Sequence, residues 1–251
     1  MVMKISAYIH QQTRAQSGFT LIEMMIALAV IAIILAATYT THSIQQKSQR
    51  VQDQVAVVQQ NLRAALIIMT RDIREAGCDP KEVSGANIVA ATAGQIRFTR
   101  DISGHAVSPN DGDGDTLDLN EDIIFAIDPA VDTDANPDGI PDAALVGNLT
   151  RNDVNDGTGT WQPIAQNIER LEFAYLDDTG NLIATPIITQ SEINRIRAVQ
   201  VSMLVRAVQP DQNFRDATTY TTAAGTVWGP FNDNFRRRFA ATTIQCRNKG
   251  L

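Results

Sequence analysis

From Phe19 to about Tyr39 the chain is apolar on every side a helix could present, and Glu23 is the only charged residue in that run. A stretch of about 18 or more apolar residues is long enough to cross a bilayer as a helix. Beyond it the pattern becomes periodic: Val51, Val55, Val58, Leu62, Ala65, Met69, Ile73 and Ala76 recur at steps of three and four. Gln45, Gln46, Lys47, Gln49, Gln52, Asp53, Gln59, Gln60 and Arg63 fall between or before these positions, so the spacing predicts an amphipathic helix with one apolar stripe. Arg71 and Arg74 suit the negative end of the helix dipole, Gly77 suits a left-handed C′ position, and Pro80 cannot continue the helix. The helix is therefore expected to end near Ala76. From Phe19 to Ala76 it would run about 85–90 Å at about 1.5 Å per residue, against about 30 Å of hydrocarbon, so its second half must pack on protein.

After Pro80 the pattern changes to short alternating segments bounded by Gly, Asn, Asp and Pro, as in antiparallel β-structure. Strands are predicted at 87–91, 95–99, 116–119 with 123–127, 168–176, 181–188, 196–208 and 237–245, with Asp177 to Gly180 as a hairpin turn. Leu171, Phe173 and Tyr175 alternate with Glu172 and Ala174, and Val199, Val201, Met203 and Val205 alternate with Gln200 and Ser202. Each of these strands thus has one core face for the helix stripe to cover, an α+β layout.

The residues at the start of the apolar run, Gly18-Phe19-Thr20-Leu21-Ile22-Glu23, follow a polar leader, and a glycine precedes the apolar core where a secretory signal would carry its cleavage site after it. They resemble the class III signal of type IV prepilins and pseudopilins. That resemblance implies cleavage by prepilin peptidase after Gly18 and N-methylation of Phe19. It also implies that Glu23 neutralises the N-terminal amine of a neighbouring subunit and so sets the assembly register. A carboxylate inside a span costs roughly 2.5–3.5 kcal/mol at the helix centre and calls for such a partner. Lys4 and Arg14 lie before the span and nothing basic follows until Lys47, so the positive-inside bias places the N-terminus in the cytoplasm and the rest outside. The expected organisation is a leader at 1–18, a helix at 19–76 with its transmembrane segment at 19–39, and an extracytoplasmic β-rich head at 77–251.

The segment Met69-Thr70-Arg71-Asp72-Ile73-Arg74-Glu75-Ala76-Gly77-Cys78-Asp79-Pro80 resembles the helix-end motif of PilW-type minor pilins, with Cys78 where that motif carries an aromatic residue. Ile196 to Arg206 and Asn234-Phe235-Arg236-Arg237-Arg238-Phe239 are similar to later segments of the same group. J-type minor pseudopilins of type II secretion share much of this plan. Both resemblances imply the type IV pilin-like fold, a long N-terminal helix packed on an antiparallel sheet.

Charge adds a second feature. The formal net charge of -7 becomes -7 - 2 = -9 once Lys4 and Arg14 leave with the leader, which disfavours nucleic acid or anionic lipid as a general partner. Fourteen of the 28 acidic residues fall between Asp101 and Asp156, against Arg151 as the one base, so this insert (101–156) needs a counter-ion or stays loose. Within it, Asp134, Asn136, Asp138, the Ile140 carbonyl and Asp142 alternate as in the first half of a calcium loop, with Gly139 at the turn. The run resembles the Asp-rich repeats of thrombospondin type 3 modules. Leu145 stands where an EF-hand has its last carboxylate, and Asp132 is the substitute candidate. Asp111-Gly112-Asp113-Gly114-Asp115 is a weaker second set, since Thr116 takes the turn position.

Cys78 and Cys246 are the two cysteines. An oxidising compartment permits a disulfide between them, and two buried thiols are the other reading. His10, His42 and His105 converge with no Ser or Cys, so no catalysis is expected. Arg236, Arg237 and Arg238 are expected to be solvated charges at the start of a strand. The function expected is that of a minor type IV pilin held in the inner membrane and then drawn into a pilus through its helix. The alternatives are a minor pseudopilin and a pilin-anchored, calcium-dependent adhesion module.

Overall fold

The computed structural model describes residues 18–103, 112–135 and 137–249. The chain divides into two compact units, Met1–Arg50 and Val51–Leu251. Helix α1 (Leu21–Arg74) supplies all the regular structure described in the first unit, where its apolar side chains are exposed. Its N-terminal part is long and apolar enough to cross a membrane.

In the second unit α1 supplies Val58, Ala65, Met69 and Ile73 to the core, and Leu62 packs against it, in the spacing that the stripe predicts. Helical residues stop at Arg74, and Gly77 takes a φ of +75° while its N–H donates to the Thr99 carbonyl at 2.9 Å. The helix thus ends two residues short of Ala76, with the expected left-handed glycine just beyond. The strands are β1 (Ile88–Ala91), β2 (Gln95–Thr99), β3 (Asp122–Ile127), β4 (Gly147–Asp153), β5 (Trp161–Leu176), β6 (Leu182–Ile183), β7 (Ala198–Arg206), β8 (Tyr220–Thr221), β9 (Val227–Trp228) and β10 (Arg237–Gln245). A short helix α2 (Gln190–Arg195) precedes β7. Among the described residues, one antiparallel sheet runs β1-β2-β3-β4-β5-β7-β10 with β6 beside β5, and β8 pairs with β9 in a second.

The sheet curls. The Phe173 N–H in β5 donates to the Ala93 carbonyl in the β1–β2 turn at 2.7 Å, and Ala91 bridges to Ile187. Leu171, Phe173 and Tyr175 of β5 and Val199, Val201, Met203 and Val205 of β7 face the core, as their alternation predicts. The opposite faces of these strands are covered too, by the segment that carries β8 and β9. Thr226 Oγ1 donates to Glu172 Oε1 at 2.5 Å and the Ala223 N–H donates to Ser202 Oγ at 3.2 Å.

Several predicted strands are corrected. Residues 116–119 form no strand, because their N–H groups turn to local carboxylates: Asp118 donates to Glu121 Oε2 at 3.1 Å and Leu117 to Asp115 Oδ1 at 2.8 Å. The segment 181–188 is strand only at Leu182–Ile183, since Pro186 offers no N–H to a ladder. β4, which the sequence analysis does not predict, lies inside the acidic insert. Its buried polar side chains find partners in or beside the sheet: Thr150 Oγ1 donates to the Ala126 carbonyl at 2.9 Å and Asn152 Nδ2 to the Thr160 carbonyl, just before β5, at 3.1 Å.

Candidate functional site

Gly18, Phe19 and Thr20 precede α1 and are exposed. Thr20 and Glu23 form a reciprocal pair. Glu23 Oε2 accepts from the Thr20 N–H and from Thr20 Oγ1, both at 2.9 Å, while Thr20 Oγ1 accepts from the Glu23 N–H at 3.3 Å. This is a capping box, in which a Thr and a Glu three residues on satisfy N–H groups that the helix leaves open. The sequence reading assigns Glu23 a partner in another subunit and misses this local one, although the Thr-x-x-Glu spacing spells it. The carboxylate is thus held at the first turn of the apolar helix with its oxygens directed toward the N-terminal side.

The far end of the helix carries a second polar device. Asp72 is fully buried among the core residues of α1. Its carboxylate accepts from Arg151 Nε of β4 at 3.0 Å and from Arg71 Nε at 3.0 Å, and Arg100 Nη1 lies 3.5 Å away. Arg100 also pairs with Glu75 at 2.5 Å. The helix-end motif is therefore a clamp between α1 and the sheet, built from a charge on the face where an apolar residue would be expected. Sequence reasoning places Arg71 and Arg74 at the helix dipole and gives Asp72 no role. The signal is a lone Asp next to Ile73 on the apolar stripe, with Arg151 the only base in the acidic insert.

The predicted calcium ligands lie in the loop from β3 to β4. Asp132, Asp134 and Asp142 come together, each offering one oxygen within 4.8 Å of the others. Asp132 is 3 % exposed, and its Oδ2 accepts the Gly139 N–H at 3.1 Å. Burial, reinforced by the charges of Asp138, Asp142 and Asp134, pushes the Asp132 carboxyl up to about 6. Asp138 turns back to accept the Ile140 N–H at 2.8 Å, and Asn136 lies outside the described residues. Asp142 Oδ2 also accepts the Thr133 N–H at 2.9 Å. In the weaker set Asp111 is outside the described residues. Asp113 Oδ1 accepts the Asp115 N–H at 3.2 Å, and the loop is held by buried Asp101, which accepts from Asp113 and Gly114 at 3.0 Å each.

Cys78 and Cys246 are free thiols, Cys78 half-buried and Cys246 buried. Burial raises both, Cys246 to about 11. Of the three consecutive arginines Arg238 is exposed, as expected, but Arg236 and Arg237 are not simply solvated. Arg237 is buried, with Nε and Nη2 on Glu169, Nη1 on Asp216 at 3.0 Å, and both terminal nitrogens on Asp233. Its guanidinium stacks on Phe231 with 3.9 Å to the ring centre. Arg236 pairs with Asp211 at 2.8 Å. The run ties the segment carrying β8 and β9 to the sheet.

The chain thus joins a capped apolar helix to a head in which the second half of that helix packs on a curled antiparallel sheet, and residues 13–39 match the prokaryotic N-terminal methylation motif. Residues 131–248 match the family described as type IV pilus-assembly protein W. Among solved structures, a type IV-like pilin from Thermus thermophilus is similar at 11% identity, the match covering 80% of this chain and 98% of that one with a TM-score of 0.46. No curated protein matches the chain.

Proposed function

We propose that this chain is a minor pilin, a structural subunit and not an enzyme, that joins or primes a type IV pilus. The observation that carries the proposal is the coexistence on one chain of the N-terminal methylation motif at 13–39, leading into an apolar helix, and the PilW domain at 131–248. In this reading prepilin peptidase cuts after Gly18 and Phe19 is methylated. The subunit then waits in the inner membrane through residues 19–39, with its N-terminus cytoplasmic and residues 77–251 outside. Other pilin subunits next take the helix out of the bilayer, where an all-round apolar surface suits burial among similar helices. Glu23 then exchanges partners. Its oxygens, held in the isolated chain by Thr20, accept the N-terminal amine of a neighbour, and that charge pair fixes the axial position of one subunit against the next.

The test is deletion of the gene in its host, with surface pili and secreted protein scored side by side and complemented by the parent chain or by Glu23→Ala. Loss of pili with intact secretion, restored by the parent and not by Glu23→Ala, is the expected outcome. Intact pili with blocked secretion would move the protein to a secretion pseudopilus. Mass spectrometry of the mature chain checks processing, with an N-methylated Phe19 expected.

A further inference from the structure

The neck of the β3–β4 loop concentrates negative charge. Among the described residues none of the ion pairs includes Asp132, Asp134 or Asp142. Asp132 Oδ1 is moreover buried and accepts no hydrogen bond from any described residue. A buried carboxylate oxygen without a donor is costly, so native structures supply a partner for such groups. Asp132 lines a cavity of about 260 Å³ together with Asp134, Thr133, Pro137 and Trp161. That space exceeds the roughly 30 Å³ share of one water several-fold, so an ion and its remaining waters fit.

We propose that Asp132, Asp134 and Asp142 bind a calcium ion at this neck, with the buried Asp132 as the inner ligand. The donors are all oxygen, which selects a hard cation over zinc or copper. Calcium holds its ligands at about 2.3–2.6 Å, so oxygens around one ion lie at most about 5 Å apart, and the three carboxylates meet that condition. Magnesium requires near-ideal octahedral geometry and gives up its waters reluctantly, which three carboxylates on one loop serve poorly.

The position gives the ion a structural effect. The loop is pinched where the N–H groups of Asp142 and Ala143 both reach the Val131 carbonyl, at 2.8 and 3.0 Å. Between these ends it lays its backbone over the curled sheet. The Gly94 N–H donates to the Pro137 carbonyl at 2.8 Å and the Leu171 N–H to the Gly139 carbonyl at 2.9 Å. A Cβ on Gly139 would stand 1.9 Å from the Leu171 carbonyl oxygen, so only glycine permits this approach. Neutralising the neck holds the loop in the seam between the β1–β2 turn and β5.

The experiment uses the full chain in detergent micelles, stripped with a chelator. Calcium titration by calorimetry should give one site with a Kd of about 10⁻⁴–10⁻³ M and a rise in Tm that chelator reverses. Terbium in place of calcium should luminesce on excitation of Trp161, and calcium should quench that emission by displacement. Asp132→Asn should weaken binding at least tenfold. Asp134→Asn, at an exposed position that does not threaten folding, should weaken it severalfold. The proposal is overturned by an absence of heat and of Tm shift at about 10 mM calcium, by unchanged affinity in Asp134→Asn, by magnesium binding as tightly as calcium, or by terbium emission that persists in Trp161→Phe.

Discussion

At the scale of single residues, two charges sit where the apolar pattern alone would place none. Glu23 closes the first turn of α1 through Thr20, and Asp72 closes its far end through Arg100 and Arg151. Their surroundings differ. Arg71 is 68 % exposed, whereas the other guanidiniums on Asp72 are largely buried. Removing one partner of a buried charged cluster leaves the rest uncompensated, which costs about 3–5 kcal/mol. Asp72→Asn is therefore expected to lower the unfolding free energy by about that amount, while Arg71→Ala costs less than about 1 kcal/mol because the Arg71 side chain is exposed and Arg100 and Arg151 still meet Asp72. Denaturant titration of the full chain compares the two, and equal small effects would show that Asp72 is no clamp.

At the scale of elements, the β5–β6 turn shows how a local polar group can govern a pH response. The Asp177 carboxyl is held down to about 2 by the Thr179 hydroxyl and the Asn181 N–H, with Arg195 adding a hydrogen bond. Its folded value lies below the ordinary carboxylate value of about 3.9, so the unfolded chain takes up the proton first on acidification. The stabilisation is thus complete above about pH 4 and is lost as pH falls through about 2. Asp177→Asn should flatten that part of the acid-unfolding curve measured by circular dichroism, and an unchanged curve would remove the turn from the account.

The same scale shows what the sequence made legible. The helix stripe and the core faces of β5 and β7 could be read because each has a period that only one secondary structure satisfies, and Gly77 marked the stop. β4 was hidden because Thr150, Asn152 and Asp153 are polar on buried positions, and only the neighbouring strands that receive them make a strand of that segment. Asp138 and Asp142 looked equivalent as ligands in the linear spacing. The loop's own turn takes Asp138 to Ile140, which alternation along the chain does not encode, whereas Asp132, the substitute candidate, does stand with Asp134 and Asp142. Arg237 was misread for a similar reason, since Glu169, Asp216 and Asp233 reach it from three separate segments.

For the whole molecule, the division at Val51 has an experimental consequence. Among the described residues, every side chain of the hydrophobic core lies at Val58 or beyond, and the Asp72 clamp lies in the same unit. A chain beginning at Val51 is expected to be soluble without detergent and to unfold in one cooperative transition, with calorimetric and van't Hoff enthalpies in agreement. A broad, non-cooperative transition would mean that residues before Val51 contribute to the fold of the second unit.

Asp72 also bears on how the molecule carries load. A pull on the N-terminal part of α1 reaches the sheet through the contacts of Val58, Ala65 and Met69 in turn, which slide in shear and have no preferred direction. The last anchorage is directional: one carboxylate gripped by guanidiniums from β4 and from the residue that follows β2. Displacing the helix along its axis would separate opposite charges in a poorly hydrated setting, where their attraction is strongest at contact, so this end is expected to act as a fixed terminal.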